Sequence, residues 1–166
     1  IRTDVTFDTA MRAAQQAARS TAPRPIPIMK QQNFVSIFTE LQRTGASPSL
    51  SLFLKLAWTL AARIGDLRQC RKGDFIFHEN HITLTYRRGK GPSFRGPYTV
   101  PLSLEPSDVS RLRAHLTTLA DDQPLFSTQC QEELARCLAS HGFECRSVRK
   151  GRLTELALQG TTDADL

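Results

Sequence analysis

The chain is short of cysteine pairs, of long apolar runs and of tyrosine, and each shortage excludes something. Its 166 residues hold four cysteines, Cys70, Cys130, Cys137 and Cys145, with no CxxC pair among them and no secretory signal ahead of them. A disulfide framework and a zinc site are therefore not expected, and reduced thiols in an intracellular protein fit best. No apolar stretch reaches the roughly 18 residues that a bilayer span needs, and Lys55 interrupts the longest one. The chain reads as soluble, with no membrane partner. His78 and His81 flank Glu79-Asn80 at what reads as a hairpin turn, which argues against metal ligation, so neither metal nor cofactor is expected. The two tyrosines, Tyr86 and Tyr98, fall in segments that read as sheet and are taken as packing residues rather than nucleophiles.

What is present is enough for one ordinary domain with an excess of positive charge. With 40% hydrophobic and 23% charged residues, the chain can bury a real core but is too short for two full domains. It carries 22 Lys and Arg against 16 Asp and Glu, for a net charge of +6. That balance favours a polyanionic partner. The charge is also concentrated: between Arg63 and Val100 stand Arg63, Arg68, Arg71, Lys72, Arg87, Arg88, Lys90 and Arg95, opposed only by Asp66, Asp74 and Glu79.

Three segments follow from composition. Asp8 can cap a helix running to about Ser20, so residues 1–22 read as the remnant of a preceding domain. Residues 23–29 alternate proline with other residues and form an extended linker. Residues 30–166 make the compact body, and because Ile1 is not an initiator the whole is read as a piece of a longer protein.

Within the body, Lys30 to Arg43 places Phe34, Ile37, Phe38 and Leu41 at helical spacing and stops at Gly45. A buried helix from Leu50 to Ala62 comes next, ending on Arg63. Asp74 to Phe77, His81 to Tyr86 and Tyr98 to Leu102 read as three short antiparallel strands. Pro106 and Ser107 open a helix with Val109, Leu112, Leu116 and Leu119 on one stripe. Thr128 and Gln131 have the form of a capping box ahead of Leu134, Cys137 and Leu138. A last helix runs from near Arg146 to about Leu158.

Three features carry chemistry. A cation at the rim of a core needs an anion, and Asp66, three residues after Arg63, can hold the guanidinium still while leaving donors free for a phosphate; a structural Arg–Asp pair is the plain alternative. Gly89-Lys90-Gly91 lacks P-loop spacing and usually means a solvated hairpin tip. Arg146, Arg149 and Lys150 share one helical face, where like charges repel unless an anion sits among them.

These pieces in this order resemble the catalytic domain of the tyrosine recombinases, the phage-integrase family of DNA strand-exchange enzymes. Arg63, Asp66, Leu67 and Asp74 meet the spacing of the family's first box. Gly89-Lys90-Gly91 with Val100-Pro101-Leu102 is similar to its lysine-bearing hairpin. Arg146-Ser147-Val148-Arg149, at the start of a helix ending at Gly160, is similar to its second box, with Arg146 where histidine is usual. The segment Pro92 to Pro97 makes the hairpin longer than usual, and the closing Gly-His pair and nucleophilic tyrosine would lie beyond Leu166.

The resemblance implies a mainly helical α+β fold, a tyrosine-recombinase-like catalytic domain with a small three-stranded antiparallel sheet. It implies an enzyme that cuts and rejoins double-stranded DNA through a 3′-phosphotyrosine. Arg63 and Arg149 would clamp the phosphate, Arg146 would be a third donor, Lys90 would protonate the leaving oxygen, and Asp66 would orient Arg63. Arg68, Arg71, Lys72, Arg87, Arg88, Arg95 and Lys150 would contact DNA. No metal is needed. A tetramer on paired sites is expected of the full protein, and a monomer that binds DNA weakly and cuts nothing is expected of this chain. An intracellular, DNA-associated location follows. The alternatives are a recombinase fold kept only for DNA binding, a type IB topoisomerase-like enzyme, and an unrelated basic module binding RNA or an acidic protein.

Overall fold

The computed structural model describes residues 11–12 and 25–160. The expected lead helix, apart from Met11 and Arg12, lies outside the described residues, as do residues 161–166.

One helix organises the rest. α2, Pro48–Leu60, begins with proline at its first position, where the missing N–H costs nothing, and is apolar nearly all round. It therefore buries Leu50, Leu52, Phe53, Leu54, Leu56, Ala57 and Trp58, and the other helices surround it. α1, Gln31–Arg43, lays Phe34, Ile37 and Leu41 against it, with the Phe34 and Trp58 rings stacked 4.9 Å apart. The expected stop at Gly45 is seen, with φ +68°.

α2 ends earlier than its apolar run suggests. Ala61 takes the left-handed conformation, φ 48°, and terminates the helix two residues before Arg63. Arg63 instead stands at the N-cap position of a short separate helix, α3, Ile64–Arg68. The break turns the chain so that Ile64, Asp66 and Leu67 face inward.

A single 3₁₀ turn, Lys72–Asp74, leads into the sheet. Its strands are β1, Phe75–Phe77, β2, Ile82–Tyr86, and β3, Tyr98–Leu102, antiparallel in the order β1-β2-β3. The register pairs Leu84 with Phe75 and Val100, and Tyr86 with Tyr98. Period-2 alternation sends Ile82, Leu84 and Tyr86 into the core. Between β2 and β3 the insertion forms a six-residue helix, α4, Lys90–Arg95, where a solvated tip was expected.

α5, Pro106–Thr117, and α6, Thr128–Ser140, complete the shell with Leu112, Leu116, Leu134 and Leu138. The cap of α6 is Ser127, whose hydroxyl accepts the Cys130 N–H at 3.0 Å, one residue ahead of the expected Thr128. The last helix, α7, Cys145–Leu158, crosses the extended segment before α1 so closely that a Cβ at Gly151 would collide with the Met29 carbonyl. Met29 is fully buried, and burying such a side chain is worth about 1.5–3 kcal/mol. The end of the proline-rich segment is thus stitched to the core.

Candidate nucleic-acid interface

The break after α2 sets one wall of a cleft, the insertion between β2 and β3 a second, and the first turns of α7 a third. The cleft encloses about 560 Å³ and is lined by Arg63, Asp66, Lys90, Arg146, Arg149 and Lys150, with Ile64 and Leu153 among its apolar residues. Three stretches separated in sequence by more than 20 residues thus bring their charges together.

Asp66 is the hub. Its carboxylate is 5% exposed and accepts the backbone N–H of Lys90 at 2.7 Å and that of Gly91 at 3.1 Å. These charge-assisted bonds fix the first turn of α4. Two glycines make the approach possible: a Cβ at Gly89, φ +105°, would overlap the Asp66 carboxylate, and one at Gly91 would sit 2.9 Å from Asp66 Oδ2. Lys90 is exposed, as a solvated tip would have it, but on a backbone held by Asp66.

The same carboxylate faces Arg63 Nη1 at 3.8 Å, an ion pair too long for a hydrogen bond. The field of the buried acid orients the guanidinium without consuming its donors. Arg63 keeps 40% of its side chain exposed, toward the cleft.

Arg149 comes from the second turn of α7. Burial, then the like charge of Arg63, lowers its pKa, with Arg95 acting in the same direction against the opposing Tyr98 and Asp66. It remains a cation at neutral pH and takes part in no salt bridge among the described residues. Two guanidinium groups that repel each other, sharing one carboxylate already bound to two N–H groups, leave an unbalanced positive site. Arg146 is 71% exposed at the cleft mouth and pairs with Glu144 at 3.2 Å. Lys150 reaches toward the Ile26 carbonyl at 3.5 Å.

The other basic residues are distributed differently. Arg95 stacks its guanidinium over the Tyr98 ring at 4.6 Å, near Arg149. Arg87 and Arg88 lie outside the cleft and converge on a second buried acid, Asp74, each at 3.1 Å. Lys72 is held by the Leu119 carbonyl at 2.9 Å and Asp121 at 3.2 Å. Arg68 and Arg71, both half-buried, flank the end of α3 and do not line the cleft.

Two lining residues, Gln131 and Cys145, were not assigned to the site from the sequence. Gln131 lines the cleft, and with Ser127 rather than Thr128 as the cap of α6 it is not the capping-box partner expected of it. Cys145 opens α7, but burial raises its thiol pKa, so it stays protonated and is a poor nucleophile. Tyr86 is equally unsuited to attack: its hydroxyl is buried with no hydrogen-bond partner among the described residues, and burial raises its pKa.

Neither a family model nor a curated protein matches the chain by sequence. Solved structures do match by fold. One is the XerH site-specific recombinase bound to its difH substrate in a pre-cleavage complex, similar over 81% of this chain and 44% of that one, with TM-score 0.61 and 16% identity. Another is a mutant of Flpe in a complex with a DNA Holliday junction, similar over 98% of this chain and 50% of that one, with TM-score 0.63 and 10% identity. The chain spans about half the length of these structures. Its fold is that of a tyrosine recombinase-like catalytic domain, mainly helical with a small antiparallel sheet.

Proposed function

We propose that this chain is the phosphate-binding part of a DNA strand-exchange enzyme of the tyrosine recombinase type, an integrase, recombinase or mobile-element transposase. The observation that carries the reading is the convergence of Arg63, Lys90, Arg146 and Arg149 on one cleft whose buried acid is already committed. Attack of a tyrosine oxygen on a phosphodiester adds negative charge to the nonbridging oxygens. Guanidinium groups fixed beforehand stabilise that charge more than they stabilise the ground state. Arg63 and Arg149 donate no hydrogen bond among the described residues and can serve here, and Arg146, paired to Glu144 through one nitrogen, is a third cation.

Lys90 is the acid for the departing 5′ oxygen, its backbone set by Asp66 and its ammonium free to reach into the groove. The nucleophile comes from outside these residues, since Tyr86 is buried and Tyr98 is covered by Arg95. The 3′-phosphotyrosine keeps the energy of the broken bond, so religation to a new strand needs no further cofactor. Double-stranded DNA is the partner. A tetramer on paired sites forms with the parent protein, and a monomer with this chain.

A longer form of the protein that includes the following residues tests this directly. Incubated with nicked suicide DNA, it should yield a covalent adduct that Arg63→Ala and Arg149→Ala abolish. Salt-sensitive DNA binding with no adduct supports a second reading, a recombinase fold kept for binding alone. The Arg146 guanidinium paired to Glu144 favours that second reading, because arginine cannot shuttle a proton near neutral pH.

A further inference from the structure

The insertion between β2 and β3 carries a side chain that the cleft does not use. Phe94 is 83% exposed, the most exposed large apolar residue among those described. It stands on a pinned segment: Gly91 and Pro92 are buried, Asp66 holds the first two N–H groups, and the Ser93 hydroxyl donates to the Gly89 carbonyl at 2.7 Å. Gly91 and Pro92 occupy the inward face, so the ring has no core position to fold back into. Arg95, the next residue in the chain, covers Tyr98.

Lys90 and Phe94 are four residues apart on one short helix, which puts their side chains on the same face, about 5–6 Å apart at Cβ. Lys90 lines the cleft. A duplex whose phosphate sits there advances about 3.4 Å per base pair, so the ring meets it one or two base steps away.

We infer that Phe94 is a DNA-contacting wedge, packing its ring against or between bases in the groove beside the phosphate held by the cleft. This rests on the DNA reading above. The surroundings select the partner: the short helix that carries the ring also carries the cations Lys90 and Arg95, while Asp66, the acid that anchors this helix, is buried and occupied. An apolar protein surface would leave those cations uncompensated. DNA offers phosphates to the cations and flat bases to the ring.

The whole chain, F94A and F94W are titrated with a fluorescein-labelled short duplex at low salt. Anisotropy reports binding, and tryptophan emission reports stacking of the introduced indole. Trp58, the other indole, is buried in the core and gives a constant background. F94A should bind at least about 5-fold more weakly, with an unchanged slope of log K against log salt and an unchanged melting temperature. F94W should keep its affinity, and its emission should be quenched along the binding curve. Anisotropy that rises while F94W emission stays constant, or F94A binding as tightly as the wild type, overturns the wedge and leaves the DNA reading standing. No anisotropy change with the wild-type chain brings down both.

Discussion

Asp66 accepts the backbone N–H of Lys90 at 2.7 Å, across 24 residues of sequence. The acid that orients Arg63 is therefore also the acid that sets where the loop lysine begins. Two charges that a phosphate would need at fixed separation are referenced to one carboxylate.

Asp66→Asn breaks that arrangement at nearly constant volume. The amide offers one acceptor where two N–H groups converge, and its NH₂ then opposes a donor. Leaving a buried N–H unpaired costs about 1–3 kcal/mol, and at about 2–4 °C per kcal/mol the melting temperature should fall by several degrees. Differential scanning calorimetry checks this, and an unchanged transition would show that the carboxylate does not anchor α4.

The glycines beside it are tested by comparison. Gly89→Ala puts a Cβ on the carboxylate at a positive φ, while Gly73→Ala meets nothing within 4 Å. The positive-φ, extended-ψ conformation of Gly89 is essentially reserved for glycine and costs another residue about 1–3 kcal/mol, so Gly89→Ala should lose at least that much in urea unfolding. Gly73→Ala should stay near wild type; equal effects would refute the close approach.

Removing the Ser127 hydroxyl should cost α6 about 1 kcal/mol, as loss of an N-cap does. Thr128→Val, one residue on, should cost much less. The reverse order in chemical denaturation would restore Thr128 as the cap.

The α6 cap also marks where the sequence could be read and where it could not. Helix faces such as Phe34, Ile37 and Leu41, and the strand Tyr98 to Leu102, were legible because burial imposes a 3.6-residue or two-residue period. The grouping of Arg63, Lys90, Arg146 and Arg149 was legible only through motif order, since no local rule brings residues 63 and 149 together. Ends were harder. Ala61 stops α2 in a conformation that alanine rarely adopts, and the α4 turn exists because Asp66, distant in sequence, supplies its hydrogen bonds. Arg87, Arg88 and Lys72 look like free cations in a basic run, yet Asp74 and Asp121 engage them, a pairing set by tertiary structure.

Stability should fall on the alkaline side. Burial, helped by the Asp74 carboxylate, pushes the Cys70 thiol up from 9.0 to about 12, and burial also raises the Tyr86 hydroxyl. The unfolded chain releases these protons from about pH 9 upward while the folded chain retains them. The unfolded state then binds fewer protons, so the unfolding free energy is full below pH 9 and declines toward pH 12. Urea unfolding across that window should show the decline, and Tyr86→Phe should flatten it. The same substitution removes a buried hydroxyl without a partner, so it should stabilise the protein at pH 7 by about 1 kcal/mol. A loss at pH 7 would mean that the hydroxyl has a partner after all.

Arg63 and Arg149 should show opposite effects on stability and on binding. Burial and then the like charge of Arg63 lower the pKa of Arg149, and neither arginine is needed to satisfy Asp66, whose close partners are backbone N–H groups. Arg149→Gln should therefore leave the melting temperature unchanged or raise it. Duplex affinity should drop, and the slope of log K against log salt should shrink by about 0.9 for one lost phosphate contact. Arg111→Gln, on α5 outside the cleft and paired to Asp108, should leave that slope alone. A fall in melting temperature for Arg149→Gln with an unchanged slope would make the residue a structural cation. A clamp held ready for an anion gives the reverse pattern, because its repulsion is relieved only when the anion arrives.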